Sequence, residues 1–256
     1  MYQVQPKKRL GQHFLNNKNI AQKITDNLLH IVPDVLEIGP GTGILTDYLL
    51  KKEDFRLIAV DADRESVEFL HRKYPEHREK IILGDFLRLN TDIYFPEKFS
   101  VIGNLPYNIS SQIFFKIIEN RNKIPQVVCM IQKEVAERIA SPAGSKKYGI
   151  LSVFLQTYYD IEYLFTVHEN VFSPPPKVKS GVIRLIRNSR ESVECDEKLF
   201  FRVVKTAFNQ RRKTLRNALR QLLPPGFDSP YMDMRAERLH TEDFIRLTSD
   251  IEKYAL

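Results

Sequence analysis

The segment Asn104-Leu105-Pro106-Tyr107 carries the residue types with the most specific chemistry in the chain. An exocyclic ring amine, such as N6 of adenine, is a poor nucleophile because its lone pair is delocalised into the ring. The side-chain oxygen of Asn104 and the backbone carbonyl of Leu105 could accept the two amine protons and favour a pyramidal nitrogen. Pro106 would stiffen the loop, and Tyr107 would stack on the base, a contact worth roughly 1–3 kcal/mol. Such a segment is usually only a turn, so this catalytic interpretation depends on its neighbours.

A glycine-rich turn at Gly39, Gly41 and Gly43 follows a short apolar run and begins a helix-length stretch. Glycine lets the backbone approach a ligand closely beside a helix N-terminus. Ile44 stands where the dinucleotide fingerprint G-x-G-x-x-G has its last glycine, and the acid Glu37 would repel a pyrophosphate. The turn therefore favours a cofactor with a positive sulfonium and no phosphate, S-adenosylmethionine, over a nicotinamide or flavin. A tight turn that binds nothing is the alternative.

Two acids follow the next two apolar runs. Asp61 lies about 20 positions after Gly39, the usual distance for a carboxylate that binds ribose hydroxyls. Asp85 follows Ile81–Leu83 and could accept a hydrogen bond from an adenine amine. Each acid alone could simply cap a helix, but ligands of open α/β sheets bind at the carboxyl ends of the strands. With Asn104, these residues predict methyl transfer from S-adenosylmethionine to a ring amine.

The elements that must position these residues alternate along the first two thirds of the chain. Apolar runs predict strands at 35–38, 57–60, 81–83, 101–103 and 127–131, and helical patterns fall at 44–51, 64–73, 110–120 and 133–140. This alternation predicts an α/β fold with a Rossmann-like, doubly wound parallel sheet. Asp160–Val167 and Val178–Ile186, joined by a proline-rich turn, predict an antiparallel addition at the sheet edge.

The chain is predicted to form two domains. The polar stretch Arg187–Glu197 resembles a linker, and apolar residues beyond it recur at helical spacing, for example Val203, Val204 and Ala207. We therefore expect a methyltransferase domain over residues 1–187. A small, all-helical domain follows over residues 188–256.

The net charge of +7 points to an acidic partner, with nucleic acid first in line. Eight Lys or Arg residues and no acid lie between Lys198 and Arg220. In one helix, residues spaced by four lie on a single side, and this spacing relates Arg212, Arg216 and Arg220. An ordinary surface helix is the alternative. The residues predicted to bind RNA are Arg211, Arg212, Lys213, Arg216 and Arg220.

Several classes of protein are disfavoured. No apolar run approaches the ~20 residues of a transmembrane helix, and no apolar stretch follows the basic N-terminus as in a secretory signal. Cys129 and Cys195 are far apart, and the histidines lack ligand spacing, so neither a disulfide framework nor a metal site is expected. We expect a cytoplasmic, metal-free protein with no membrane association.

Nearly the whole chain resembles the ribosomal RNA adenine dimethyltransferase family, through five ordered motifs. Four of them are Leu10–Leu15, the glycine turn with its acids, Asn104–Ser110, and Phe172–Val178, and the fifth is Asn209–Leu215. The resemblance implies that the first motif caps the cofactor pocket, the third is the catalytic loop, and the fifth belongs to the helical domain. Phe172 would pack against the target base. The positions implied to bind the cofactor are His13, Leu15, Gly39, Gly41, Asp61, Asp85 and Asn104. Many relatives carry Glu at the position of Asp61.

The resemblance also implies a substrate, which is a pair of adjacent adenosines in the 3′-terminal hairpin loop of 16S rRNA. They would be dimethylated at N6 on a late small-subunit assembly intermediate, by a monomeric enzyme. Two alternatives stay open: a sister family that confers antibiotic resistance by methylating 23S rRNA, and a transcription or assembly factor that uses the fold without catalysis. Phe172–Val178 and Asn209–Leu215 favour the small-subunit family over the sister family.

Overall fold

Nine strands organise the computed structural model, which describes residues 4–255. They are β1 (Phe14–Leu15), β2 (Asp34–Ile38), β3 (Arg56–Asp61), β4 (Ile81–Leu83), β5 (Ser100–Asn104), β6 (Gln126–Gln132), β7 (Tyr159–Val167), β8 (Phe172–Ser173) and β9 (Ser180–Arg187). Seven form one sheet in the order β4-β3-β2-β5-β6-β9-β7, and β1 pairs with β8. The strands from β4 to β6 are parallel, and β9 runs antiparallel to β6.

The predicted doubly wound sheet with an antiparallel addition is confirmed, and each predicted strand lies within a few residues of its expected position. One detail differs, because the antiparallel β9 lies one strand in from the edge and β7 forms the edge itself. Every residue of β2 and six of the seven in β6 are buried. Strands covered on both faces need such continuous apolar runs.

The helices are α1 (Lys18–Asp26), α2 (Thr46–Leu49), α3 (Arg64–Lys73), α4 (Ser110–Glu119), α5 (Lys133–Ala140), α6 (Ile150–Tyr158), α7 (Glu197–Asn209), α8 (Leu215–Ala218) and α9 (Thr241–Tyr254). Side-chain caps explain several starts, because Asn17, Asp63 and Asp196 each accept a hydrogen bond from a backbone N–H in the first turn of α1, α3 and α7. Within the part of the chain that the structure describes, no helix is long and apolar enough to cross a membrane.

The chain divides into two units, which differ from the predicted domains in one segment. The first holds the residues up to Ala136 and Ile161–Arg187, and the second holds Glu137–Asp160 and the residues from Asn188 onward. Glu137–Asp160 was expected in the first domain. It groups with the second unit because Phe154 of α6 packs on Phe200 and Phe201 of α7.

The prediction that one helix carries Arg212, Arg216 and Arg220 is wrong. Helix α7 ends at Asn209, and α8 contains only Leu215–Ala218. The break has a physical cause, because the first backbone N–H groups of α8 donate to the carbonyls of Met232 and Met234 rather than to a preceding helical turn. The three arginines therefore do not form a row along one helix.

Candidate active site

A cavity of about 460 Å³ lies at the carboxyl ends of the parallel strands β2 to β5. Its volume falls in the range of small-molecule sites, and its position is where open α/β sheets bind ligands. The predicted residues that line it are His13, Gly39, Gly41, Asp61, Asp85, Asn104, Leu105, Pro106 and Tyr107. The sheet thus brings together residues that the sequence related only by spacing.

The glycine turn forms a close-fitting floor for this cavity. Gly39 and Gly41 have φ values of +66° and +57°, which favour glycine. A Cβ on Gly41 would also lie 2.9 Å from the ring of Phe14. At the back of the turn, the hydroxyl of Tyr74 lies 3.0 Å from the carbonyl oxygen of Gly43. Glycine is therefore favoured at both positions by the backbone conformation, and at Gly41 also by the packing of Phe14.

Asp61 links two backbone segments at the edge of the cavity. One carboxylate oxygen accepts from Gly41 N at 3.0 Å, and the other accepts from Asp63 N at 2.8 Å. Burial raises the pKa of Asp61 to about 6, although both backbone hydrogen bonds oppose that shift. Each carboxylate oxygen keeps a second lone pair, so Asp61 can still accept hydrogen bonds from ligand hydroxyls.

The surroundings of Glu37 contradict the prediction that its charge would repel a pyrophosphate. Its side chain lies outside the cavity lining, is 1% exposed and accepts a hydrogen bond from Thr46 Oγ1 at 2.7 Å. Burial raises the pKa of Glu37 to about 8, so the group is mostly neutral at pH 7. A neutral, recessed carboxyl does not repel a pyrophosphate, and the case against a dinucleotide depends instead on the glycine spacing.

Asp85 stands at the opposite end of the cavity from the catalytic segment predicted at Asn104. Its side chain caps a short 3-10 helix by accepting from Leu87 N at 2.9 Å, and it is partly exposed. The ring of Phe86 beside it also lines the cavity and is 5% exposed. Phe86 was not predicted, because nothing in its spacing distinguishes a lining aromatic residue from a core residue.

Hydrogen bonds around Asn104 and Leu105 define which atoms of this segment can act as acceptors. The Asn104 amide nitrogen donates to the carbonyl oxygen of His13 at 2.9 Å, which leaves Oδ1 as the acceptor. Leu105 N donates to Met130 O at 3.0 Å, and this bond fixes the peptide that follows β5. The carbonyl of Leu105 and the amide oxygen of Asn104 can therefore serve as a pair of acceptors.

Residues 9–14 of the N-terminal segment form a further wall of the cavity. His13 Nδ1 lies 2.9 Å from the carbonyl oxygen of Pro174, so this nitrogen carries the proton. Gln12 lines the cavity and donates to Asp63 at 3.1 Å, and Lys7 forms an ion pair with the same carboxylate. Asp63 was missed by the sequence analysis, although it lies only two residues after Asp61.

Leu15 and Phe172 do not reach the cavity, in contrast to their predicted roles. Both side chains are 3% exposed and belong to the apolar core. The register of β1 and β8 places Leu15 opposite Phe172, with Phe14 opposite Ser173. Because neighbouring residues of a strand point to opposite faces, this pair turns inward while Phe14 faces the cavity. Phe172 thus packs within the β1–β8 pair, and its contact with a target base stays a prediction.

The five basic residues predicted to bind RNA all lie in the second unit, outside the cavity. Arg211 donates to the backbone carbonyls of Lys146 and Tyr148. Arg216 lies 3.0 Å from Asp228 and 3.4 Å from Asp233. The side chains of Arg212, Lys213 and Arg220 are exposed. Across residues 4–255, no group of three or more His, Cys, Asp and Glu side chains could hold a metal ion.

A parallel sheet with an antiparallel addition, a glycine turn and a nucleoside-sized cavity define the class of Rossmann-like methyltransferases. A family model described as ribosomal RNA adenine dimethylase matches residues 3–253. The chain belongs to this family, and it is an rRNA adenine dimethyltransferase by that membership.

Relatives and solved structures agree with this assignment. The chain is 55% identical to the ribosomal RNA small subunit methyltransferase A of Cytophaga hutchinsonii, over 97% of this chain and 98% of that protein. It is 54% identical to the protein of the same name from Parabacteroides distasonis, over 98% and 96%. A crystal structure of a dimethyladenosine transferase from Plasmodium falciparum has a TM-score of 0.79 at 25% identity, covering 95% of this chain and 99% of that one. The 23S rRNA methyltransferase ErmE shares the fold, with a TM-score of 0.68 at 22% identity over 92% and 99%.

Proposed function

We propose that this chain transfers methyl groups from S-adenosylmethionine to N6 of two adjacent adenosines in the 3′-terminal hairpin loop of 16S rRNA. The observation that carries the proposal is the acceptor pair at the end of β5. Asn104 Oδ1 is left available because the amide nitrogen is bound to His13 O, and the Leu105 carbonyl follows it in the same cavity. Two acceptors side by side suit an amine with two protons.

The residues of the cavity fit the proposed cofactor. The backbone of Gly39 and Gly41 permits the close approach of a ligand, Asp61 can accept from ribose hydroxyls, and Asp85 can accept from an adenine amine beside the ring of Phe86. S-adenosylmethionine, when bound, supplies a methyl group on a positively charged sulfur. His13 would contribute from the N-terminal wall, whereas the buried Leu15 could contribute only through its backbone.

The chain's own residues would act by orientation rather than by strong acid–base chemistry. Asn104 Oδ1 and Leu105 O would hold the amine protons so that the nitrogen lone pair faces the cofactor. Tyr107 would stack on the base, and Pro106 would limit the freedom of the loop. Because an N-methylated adenine cation is acidic, its proton can pass to water without a dedicated base. The described cavity lining contains His13 as its one imidazole, and that ring is engaged by Pro174 O.

The choice of small-subunit rRNA rests on the names of the relatives at 54–55% identity. The likeness to the 23S enzyme extends to the fold alone. A cavity lined by predicted cofactor-binding and catalytic residues favours catalysis over a role limited to assembly. We further propose that the enzyme acts as a cytoplasmic monomer on a small-subunit assembly intermediate, as membership of the family implies.

The test uses mass spectrometry of nucleosides after incubation of the full chain with S-adenosylmethionine and unmethylated ribosomal subunits. N6,N6-dimethyladenosine should appear in small-subunit rRNA from the 3′-terminal hairpin. Methylation confined to large-subunit rRNA would assign the chain to the sister activity. Binding to small subunits without methylation of either rRNA would leave only the assembly role.

A further inference from the structure

The hydroxyl of Tyr107 is hydrogen-bonded to a side chain that is distant in sequence. Tyr107 Oη and Ser180 Oγ share a hydrogen bond of 2.5 Å. Ser180 is the first residue of β9 and is fully buried, while Tyr107 lines the cavity. A buried hydroxyl needs a hydrogen-bond partner, and here each hydroxyl serves the other. The contact joins the loop after β5 to a strand more than seventy residues later.

Ser180 is itself held in a position with little freedom to move. In the register of β9 and β6, Ser180 lies opposite Gln132. A Cβ on the next residue, Gly181, would lie 2.8 Å from Ala136 Cβ and 2.9 Å from the ring of Tyr163, so the strand is packed tightly at this point. Ser180 therefore offers the Tyr107 hydroxyl a fixed partner.

The ring of Tyr107 also lies beside the ring of His13. The two ring centroids are 5.4 Å apart with an interplanar angle of 32°, and His13 is bound in turn to Pro174 O at 2.9 Å. Burial raises the pKa of Tyr107, and the hydrogen bond from Ser180 only partly offsets this. The phenol is thus uncharged at neutral pH, and its hydroxyl serves as an anchor rather than as a base.

We propose that Ser180 is a positioning residue for methyl transfer, because it fixes the tilt of the Tyr107 ring on which the target base stacks. The inference rests on the proposed function. Without the Ser180 hydroxyl, the ring would still offer a stacking face but would sample other tilts. The base amine would then meet Asn104 Oδ1 and Leu105 O less often, and small errors in such alignment are costly to rate.

The experiment compares steady-state methylation by the full-length wild type, Ser180→Ala, Tyr107→Phe and the double variant. Each single variant should lower kcat roughly tenfold, the effect of losing about one hydrogen bond, with little change in KM for RNA or in cofactor affinity. The double variant should be no slower than the slower single variant, because both changes remove the same bond. Ser180→Thr, which keeps the hydroxyl, should recover most of the loss.

Ser100→Ala is the matched control, since Ser100 is equally buried and accepts a hydrogen bond from Gln126 at the other end of β5. It should lower thermal stability without lowering kcat. Tyr107→Phe tests the same bond without altering β9, in case Ser180→Ala folds poorly. Wild-type kcat in both single variants, or losses that multiply in the double variant, would overturn the positioning role. If the wild type itself methylates neither rRNA, the proposed function fails and the inference falls with it.

Discussion

At the scale of single residues, Asp61 combines burial with a ligand-binding position. Its pKa is raised to about 6 by burial, so the carboxylate becomes ionised as the pH passes through this value. An ionised acceptor binds hydroxyls more strongly, and we therefore expect the affinity for S-adenosylmethionine to increase between pH 5 and pH 7. Asp61→Asn should lower affinity at pH 7 by about 1.5–3 kcal/mol and remove most of the pH dependence. Calorimetric titrations of the wild type and Asp61→Asn across this pH range measure both effects. Equal affinity for S-adenosylmethionine in the two proteins would exclude a role of Asp61 in binding the ribose.

Glu37 affects folding stability in a way that depends on pH. Its pKa is about 8 in the folded chain, against a normal value of 4.5, because of burial. Between these values the folded state holds a proton that the unfolded state releases, so the free energy of unfolding decreases as the pH rises toward 8. Glu37→Gln should reduce this decrease by roughly 1–4 kcal/mol at pH 9. Urea unfolding of both proteins at pH 6 and pH 9 gives the difference, and identical pH dependences would contradict it.

The sequence was sufficient for the part of the site that depends on strand ends. Gly39, Asp61, Asp85 and Asn104 each follow an apolar run, and the ends of parallel strands meet at one edge. Phe86, which was missed, comes from a segment whose path is set by tertiary contacts. The inward orientation of Leu15 and Phe172 was equally hidden, because a motif match does not tell which face of a short strand pair a side chain occupies.

At the scale of elements, the N-terminal segment that forms one wall of the cavity is tied to the start of α3. Lys7 and Gln12 both bind the carboxylate of Asp63. Although burial opposes ionisation, hydrogen bonds from these two side chains lower the pKa of Asp63 below its ordinary value. These contacts, which we call the latch, hold the N-terminal wall through a carboxylate that stays ionised at neutral pH.

Weakening this latch should speed up cofactor release. Lys7→Gln and Asp63→Asn are each expected to raise the Kd for S-adenosylmethionine roughly three- to tenfold, the effect of about one hydrogen bond, mainly through a faster off-rate. Asparagine still caps α3, so Asp63→Asn leaves the helix start intact. Lys8→Gln removes the same charge from an exposed neighbour and serves as the control in stopped-flow measurements. Equal off-rates for Lys7→Gln and Lys8→Gln would dismiss the latch.

Helix prediction succeeded for several helices with one apolar face but missed α1, which also has such a face, and α6. The bounds of α3 and α5 agree with their sequence patterns. Helix α6 was missed because seven of its nine residues are buried, and a helix that is apolar all round has no amphipathic period. The break between α7 and α8 was missed because the groups that replace the helical hydrogen bonds, in Met232 and Met234, are distant in sequence.

At the scale of the whole molecule, the chain leaves its first unit at Glu137 and returns to it at Ile161. The sequence patterns do not mark the two ends of this excursion, since Glu137 falls within the helix predicted at 133–140 and Asp160 begins a predicted strand. The later boundary at Arg187 was visible because the polar stretch that begins there interrupts the apolar pattern. Composition therefore marks one of the three boundaries, at Arg187, whereas packing alone defines the boundaries at Glu137 and Ile161.

The second unit contains basic residues that differ in the hydrogen bonds and ion pairs that they form within it. Arg211 and Arg216 bind groups of their own unit, whereas the side chains of Arg212 and Arg220 are exposed. We propose that Arg212 and Arg220, together with Lys213, bind RNA phosphates. Each neutralised phosphate releases counterions and steepens the log–log salt dependence of binding by roughly 0.7–0.9.

Replacing Arg212 and Arg220 by Gln should therefore weaken binding to small-subunit rRNA and flatten the salt dependence by roughly 0.7–0.9 for each phosphate that is no longer neutralised, with unchanged cofactor affinity. Lys51→Gln/Lys98→Gln removes the same charge from exposed positions of the first unit and should keep the wild-type slope. Arg216→Gln is the second comparison. The Arg216 guanidinium pairs with Asp228 and Asp233, so its replacement should change the slope less than replacement of Arg212 or Arg220. Filter-binding titrations between low and physiological salt measure all four proteins. The slope of Arg212→Gln/Arg220→Gln could instead match that of the lysine control. That result would mean that general charge attracts the RNA and that these residues of the second unit bind no phosphates.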